Sequence, residues 1–203
     1  MNRSRRGNDV AAQQKNARLS AALDRAAMAD GELLDSMDQG VFVSREEMSL
    51  RPRPDLSQMR YLKAILYHVS PGHRKEWSEV VKMAQEGYEK GVPGAHWGMF
   101  EEQYGGDGGT FLALVAHKSL AEIDKGFAEN KQFQAALGDD GMKKRKELFG
   151  ACVESSQQQL LAFNPQMSYA VDEWIKADPG FWKPKAASKS IVKTPAVEKK
   201  TNP

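Results

Sequence analysis

The alternation of apolar and polar residues predicts three β-strands in the middle of the chain. Residues 60–69 have apolar side chains on both alternating faces, so this strand should be covered on both sides. Residues 96–104 and 110–117 are two further strand-like runs on either side of the glycine-rich segment 105–109. Because a strand rather than a helix follows these glycines, we expect a β-hairpin turn and not a phosphate-binding loop.

Helical spacing predicts the elements that follow the first strand and the hairpin. One apolar stripe predicts a helix from the turn at residues 70–72 to about Lys90, ended by Gly91 as a left-handed cap. Ser119 and Glu122 have the spacing of a capping box, which predicts that the next helix begins there. The apolar stripe consists of Trp77, Val80, Val81, Ala84 and Tyr88.

Further helical signal covers residues 130–137 and 142–161, and residues 166–171 remain for a closing strand. The basic run 143–146 is expected to form a solvated face, because four consecutive residues point all round a helix. The element order predicts the α+β class: a ferredoxin-like split βαβ fold with an antiparallel sheet and extra helices inserted before the last strand. The inner face of the longer helix is predicted to consist of Phe149, Cys152, Val153, Ser156 and Leu160.

Composition divides the chain into three segments. Residues 1–57 are predicted to form a helical or disordered N-terminal extension that ends in the Pro-rich linker 51–54. Residues 58–184 are predicted to form the folded domain. Residues 185–203 are rich in Lys, Ala, Ser, Thr and Pro, and we expect a disordered tail because this composition cannot bury a core.

The formal net charge of +2 is unevenly distributed. Residues 183–203 contain six lysines and one glutamate, whereas residues 58–182 contain 14 basic and 17 acidic residues. The predicted domain is therefore mildly acidic, which argues against specific nucleic-acid binding. The single cysteine, Cys152, excludes a disulfide within the chain and is expected to be a buried apolar side chain.

The hydropathy of the chain also bears on its location. No run of about 18 apolar residues is present, so we expect no membrane span. The basic N-terminus is not followed by the apolar segment of a secretory signal. We therefore expect a cytoplasmic protein, with a secreted or periplasmic location as the alternative if a signal segment has been removed.

Three segments carry a resemblance to a known superfamily. They are residues 67–73 (YHVSPGH) at the entry to the first helix, 116–124 (AHKSLAEID) at the end of the hairpin, and 167–184 (MSYAVDEWIKADPGFWKP) near the end of the domain. With the element order, they resemble uncharacterised bacterial members of the dimeric α/β-barrel superfamily, close to the NIPSNAP and antibiotic-biosynthesis-monooxygenase groups. The resemblance extends over residues 59–184.

The resemblance implies a homodimer in which two sheets pack face to face into a barrel with the helices outside. Superfamily members include cofactor-free oxygenases, haem-handling enzymes and proteins with no known reaction, so the fold alone does not select a reaction. We expect a protein that binds a small apolar or aromatic ligand inside the dimeric barrel, with cofactor-free oxygenase-like chemistry as its reaction. The alternative is a non-catalytic oligomeric interaction or stress-associated protein whose tails bind partners. No residue pattern requires a cofactor. The resemblance leaves haem open as a cofactor, although no residue pattern supports it.

Strand parity suggests which side chains line such a pocket. If Leu112 and Leu114 face the helices, the alternate residues of their strand face the barrel interior. The same alternation places Leu62 and Leu66 toward the helices and the residues between them toward the interior.

The candidate site residues follow from this parity and from side-chain chemistry. We expect His117 to act as a general base and Tyr67 to donate a hydrogen bond to the ligand. Lys63, His96 and Phe111 are the expected ligand-binding residues. None of the four histidines has the spacing of a metal site, so we expect no metal. The same residues also fit core and interface positions without any chemical role.

Overall fold

The computed structural model describes residues 15–37, 39–106 and 108–183. Contacts divide the chain into two units, Met1–Gly40 and Val41–Pro203. In the first unit, helix α1 spans Ala17–Gly31, and Asn16 Oδ1 accepts a hydrogen bond from the Leu19 amide at 3.1 Å. The predicted Lys-rich tail, residues 185–203, lies outside the described residues.

The second unit is built on an antiparallel sheet of five strands. Their order across the sheet is β1-β3-β4-β2-β5, and every neighbouring pair is antiparallel. The order of the last four is compatible with a ferredoxin-like split βαβ arrangement. The predicted α+β class, first strand and hairpin are therefore confirmed. The strands are β1 (Val41–Ser44), β2 (Tyr61–Val69), β3 (Gly98–Tyr104), β4 (Thr110–His117) and β5 (Val153–Ala162).

Part of the segment that we assigned to the N-terminal extension packs with the sheet. Strand β1 pairs with β3 at the edge of the sheet, where four residues are too short to give a periodic signal. After β1, the backbones of Leu50 and Trp97 exchange two hydrogen bonds, of 3.0 and 2.8 Å. Residues 41–57 thus belong to the same unit as the sheet, whereas the predicted domain begins at residue 58.

Four helices belong to the second unit: α2 (Arg74–Gly91), α3 (Leu120–Cys152), α4 (Asp172–Ala177) and α5 (Pro179–Trp182). The predicted capping box is present at the start of α3. The Ser119 hydroxyl accepts from the Glu122 amide at 3.3 Å, and the Glu122 carboxylate accepts from the Lys118 amide at 2.5 Å. Helix α3 therefore begins where the sequence predicted, at the end of the hairpin.

The predicted end of the second long helix is wrong. The helix stops at Cys152, and β5 begins at Val153, whereas no strand forms over residues 166–171. Val153, Ser156 and Leu160 therefore belong to a strand and not to a helix face. Strand β5 is polar over most of its length and becomes extended because it pairs with β2. The local pattern of apolar residues does not reveal this pairing.

The apolar core lies between the sheet and helix α2. Tyr67 and Phe111 are directly opposite each other in the sheet, and the Trp77 ring of α2 lies 4.9 Å from the first and 5.3 Å from the second. We name this side of the sheet the helix face. It also carries Lys63, Ile65, Ala113, Val115 and His117.

The other side, which we name the outer face, carries Leu62, Leu66, Phe100, Leu112 and Leu114, all half-buried. The predicted parity placed the leucines of β2 and β4 toward the helices and is therefore wrong. Both faces of these strands are apolar, so hydrophobicity alone does not distinguish them.

Two glycines one helical turn apart on α2 allow α3 to pack closely along it. A Cβ atom at Gly87 would lie 2.6 Å from the Phe133 ring, and one at Gly91 would lie 2.6 Å from the Gln132 carbonyl oxygen. Gly91 lies inside α2 without a positive φ, so its predicted role as a left-handed cap is wrong. Gly138, at φ +69°, interrupts the helical backbone of α3 and divides it into two segments.

A buried carboxylate fixes the start of α2 and the end of β1 to the sheet. Glu101 of β3 is 6 % exposed and receives hydrogen bonds from Arg74 Nη2 at 2.8 Å and Arg45 Nε at 2.6 Å. The hydrogen bond from Arg74, together with that from Arg45, holds the pKa of Glu101 below its ordinary value against the opposing effect of burial.

Replacing Glu101 by Gln should lower the free energy of unfolding by about 2 kcal/mol at neutral pH, because two charge-assisted hydrogen bonds weaken. A carboxyl group whose pKa is lower in the folded state than in the unfolded state stabilises the fold at pH values above the unfolded pKa of about 4.3. This stabilisation is lost as the pH falls through the folded pKa. The difference between wild type and Glu101→Gln should therefore shrink below about pH 4.3. Urea unfolding at a series of pH values measures it.

The control is Glu102→Gln, one residue along β3, where no ion pair is formed with any described residue. It should change the free energy of unfolding by less than about 0.5 kcal/mol. If the difference in free energy of unfolding between wild type and Glu101→Gln stays constant into strong acid, the lowered pKa assigned to Glu101 is contradicted.

Candidate functional site

A cavity of about 490 Å³ lies between the helix face and helices α2 and α3. Its volume is in the range of pockets for small molecules, and its wall is mostly apolar and aromatic with a few polar groups. Of the five predicted site residues, Lys63, Tyr67, His96 and His117 line the cavity. The fifth, Phe111, is 1 % exposed and packs against Trp77 outside the cavity wall.

The cavity is formed within a single chain, on the side of the sheet that carries the helices. The predicted residues were assigned to the opposite environment, the interior of a barrel between two sheets. Lys63, Tyr67 and His117 remain together because they share one face of β2 and β4. His96 reaches the same cavity from the segment before β3. What is reversed is the environment that covers the shared face.

The two predicted catalytic residues are far apart. His117 lies opposite Tyr61, whereas Tyr67 lies opposite Phe111, six residues along the strand. Six residues of extended chain span about 20 Å. His117 and Tyr67 therefore mark two ends of the cavity and do not act on the same reacting atom.

The polar end of the cavity is formed around His117, the last residue of β4. Its Nε2 atom is buried and has no hydrogen-bond partner among the described residues. Burial lowers the pKa of His117; the Glu122 carboxylate opposes this shift, and the charges of His96 and Lys63 add to it. The neutral imidazole, which can accept a proton, is therefore the favoured form of His117 near neutral pH.

His96 is held beside this end by backbone carbonyl groups. Its Nε2 lies 2.9 Å from the carbonyl oxygen of Ala116, and its Nδ1 lies 3.2 Å from that of Gly94. A neutral imidazole has one N–H group, so it can donate to one of these two oxygens at a time. His96 thus joins the segment before β3 to the end of β4 and lines the cavity there.

The other end of the cavity is aromatic. The Tyr67 ring lies 6.3 Å from Phe149 of α3 in an edge-to-face arrangement, and Tyr88 of α2 stacks on Phe133 with 4.4 Å between ring centres. Burial raises the pKa of both tyrosines, so their hydroxyl groups stay protonated and can donate hydrogen bonds.

Sequence reasoning missed the cationic residue at this end. Arg145 lines the cavity, with its guanidinium carbon 5.6 Å from the centre of the Phe133 ring. It lies in the basic run 143–146, which we expected to form a solvated face. Arg145 lies four residues before Phe149, which we predicted to be on the inner face of the helix. Residues four apart lie on the same side of a helix, so this spacing could have placed Arg145 on the inner face as well.

Comparison with models of protein families, with curated proteins and with solved structures found no match in any of the three. Within the described ranges, no three His, Cys, Asp or Glu side chains are placed to hold a metal ion together. The described helices include none with the length and hydropathy needed to cross a membrane.

We expect His117 to titrate below the ordinary histidine pKa of about 6.5, because burial disfavours the imidazolium form. Replacing Lys63 by Gln should raise the pKa of His117, since a repelling positive charge is removed. Proton NMR of the imidazole resonances over pH measures both values, and His117→Gln identifies the signal.

Lys131→Gln is the matched control for charge, because Lys131 is exposed on α3 and does not line the cavity. It should leave the titration of His117 unchanged. A His117 that titrates above the ordinary value, or a pKa that falls in Lys63→Gln, would show that the burial or the proximity described above is incorrect.

Proposed function

We propose that the protein binds a small, largely apolar or aromatic molecule in the cavity between the helix face and helices α2 and α3. The observation that carries this proposal is the cavity itself: about 490 Å³, with an aromatic wall and polar groups at separate ends. A site that encloses an apolar body and orients it through a few polar groups is the usual form of a small-molecule pocket.

The polar end supports a chemical role for His117 within this proposal. In a cofactor-free oxygenase-like reaction, a base takes a proton from the substrate, and the resulting substrate anion transfers electrons to dioxygen, which is the oxidant and second substrate. A buried imidazole with a lowered pKa is suited to accept that proton near neutral pH. In this proposal, Tyr67 does not share the reacting centre with His117 and instead contacts the distant part of the bound molecule.

The ligand-binding proposal is tested by filling the cavity. We expect saturable binding of naphthalene-2-methanol, a neutral aromatic probe, in isothermal titration calorimetry. Replacing Ala84, a half-buried wall residue of α2, by Leu should weaken this binding about tenfold or more, because the added carbons occupy the space.

The control is Ala121→Leu, which makes the same chemical change at an exposed position outside the cavity. It should bind the probe as the wild type does. Absence of saturable binding to the wild type, or equal binding by wild type and Ala84→Leu, would refute the proposed site.

We further propose that two copies pack against each other through their outer faces, as the resemblance to dimeric α/β barrels implies. The support is the set of large apolar side chains on that face, including Leu66 and Leu112, which are only half-buried in one chain. A second sheet would complete their removal from water.

The dimer is tested by placing a charge on the outer face. Wild type should sediment as a dimer in analytical ultracentrifugation, and Leu66→Asp should shift it to monomer, because an unpaired carboxylate is costly in an apolar interface. Leu120→Asp is the control, since Leu120 is 51 % exposed at the start of α3 and is not one of the outer-face side chains of the sheet. A wild-type monomer at high protein concentration would overturn the proposal.

A further inference from the structure

Arg145 is a cation without an anionic partner at the aromatic end of the cavity. Its buried Nε–H group donates to no described residue, and no ion pair joins the side chain to any described carboxylate. The ring of Phe133 faces the guanidinium carbon at 5.6 Å. A ring face attracts the charge but leaves the N–H donors in the guanidinium plane unused.

Two phenol groups lie beside this cation. Tyr88 stacks on Phe133, the ring that also faces the Arg145 guanidinium. Tyr67 packs against Phe149, which lies one helical turn after Arg145 on α3. The charge of Arg145 also lowers the pKa of both tyrosines, although burial raises each more strongly. Both tyrosines line the cavity. The cavity end thus holds a guanidinium and two phenol donors around apolar walls.

The carboxylates of the cavity wall do not neutralise Arg145. Glu122 accepts a hydrogen bond from the Lys118 amide at the start of α3. Glu129 pairs with Lys125 at 3.5 Å. Among the described residues, neither carboxylate forms an ion pair with Arg145, although the charge of Glu129 contributes to the raised pKa of Tyr88.

We propose that the molecule bound in the cavity is an aromatic carboxylate, and that Arg145 binds its carboxylate group with Tyr67 and Tyr88 as further donors. This proposal rests on the proposed ligand-binding function. A guanidinium presents parallel N–H donors that match the two oxygens of a carboxylate, and an apolar environment strengthens such charge-assisted hydrogen bonds.

The test compares two probes that differ at one group, 2-naphthoate and naphthalene-2-methanol. By isothermal titration calorimetry, wild type should bind the naphthoate about tenfold or more tightly than the alcohol. Arg145→Gln should remove this preference while binding of the alcohol is retained. Retained binding of the alcohol also shows that the variant is folded.

Two variants locate the carboxylate. Lys146→Gln removes one charge from the adjacent, exposed position of the same helix and should keep the preference. Lys63→Gln removes the other lysine or arginine charge of the cavity wall and tests whether the carboxylate binds there instead. If Lys63→Gln removes the preference and Arg145→Gln does not, the assignment to Arg145 is overturned.

The remaining outcomes separate the two proposals. If wild type binds the alcohol but binds the naphthoate no more tightly, the carboxylate proposal fails and the binding proposal stands. If wild type binds neither probe, the proposed function fails as well. If Arg145→Gln binds neither probe, Arg145→Lys decides: a selective loss for the naphthoate supports the proposal, and an equal loss for both probes overturns it.

Discussion

The position of the Trp77 indole between the sheet and helix α2 is the interaction on which the second unit depends. Trp77 is 2 % exposed and contacts Tyr67 and Phe111, which lie opposite each other on neighbouring strands. Burial of such a large aromatic side chain contributes strongly to stability and fixes α2 on one side of the sheet. That choice determines which alternating residues of β2 and β4 become core and cavity wall and which become the outer face. The side chains of Lys63 and His117 share the helix face with this contact, so the same packing that stabilises the fold also places them in the cavity.

The cavity combines two kinds of electrostatic environment. At one end, burial lowers the pKa of the His117 imidazole and favours its neutral form. At the other end, the guanidinium of Arg145 is a cation in the cavity wall. A neutral acceptor and a permanent cation, separated by an aromatic wall, make the two ends chemically distinct. A bound molecule with one anionic and one apolar part would therefore have a single favoured direction in the cavity, and only one of its ends would reach His117.

Much of the fold could be predicted from the sequence, because several elements have a regular pattern of apolar residues and bury those residues in the structure. The stripe of α2 and the hairpin strands are examples, and the Ser119 cap marked the start of α3. Strand β5 could not be predicted, since its polar residues become extended only through pairing with β2. The face of the sheet could not be assigned because both faces are apolar. Lys63, Tyr67 and His117 still line the cavity, because they share one sheet face whichever way it is turned, and His96 joins them from the segment before β3. Arg145 lies within a run of four basic residues. Which of these side chains faces the cavity depends on how α3 packs, and the sequence of the run does not show this.

The two glycines of α2 that contact α3, Gly87 and Gly91, have a consequence for the volume of the cavity. At Gly87 the two helices are too close for any side chain, because a Cβ atom there would lie 2.6 Å from the Phe133 ring. Gly87 is buried and is not part of the cavity wall. A single methyl group at this position would act as a spacer between the helices and alter the volume enclosed between α3 and the sheet. The volume of the cavity could thus change through a residue outside its wall, while the side chains at both ends stay the same.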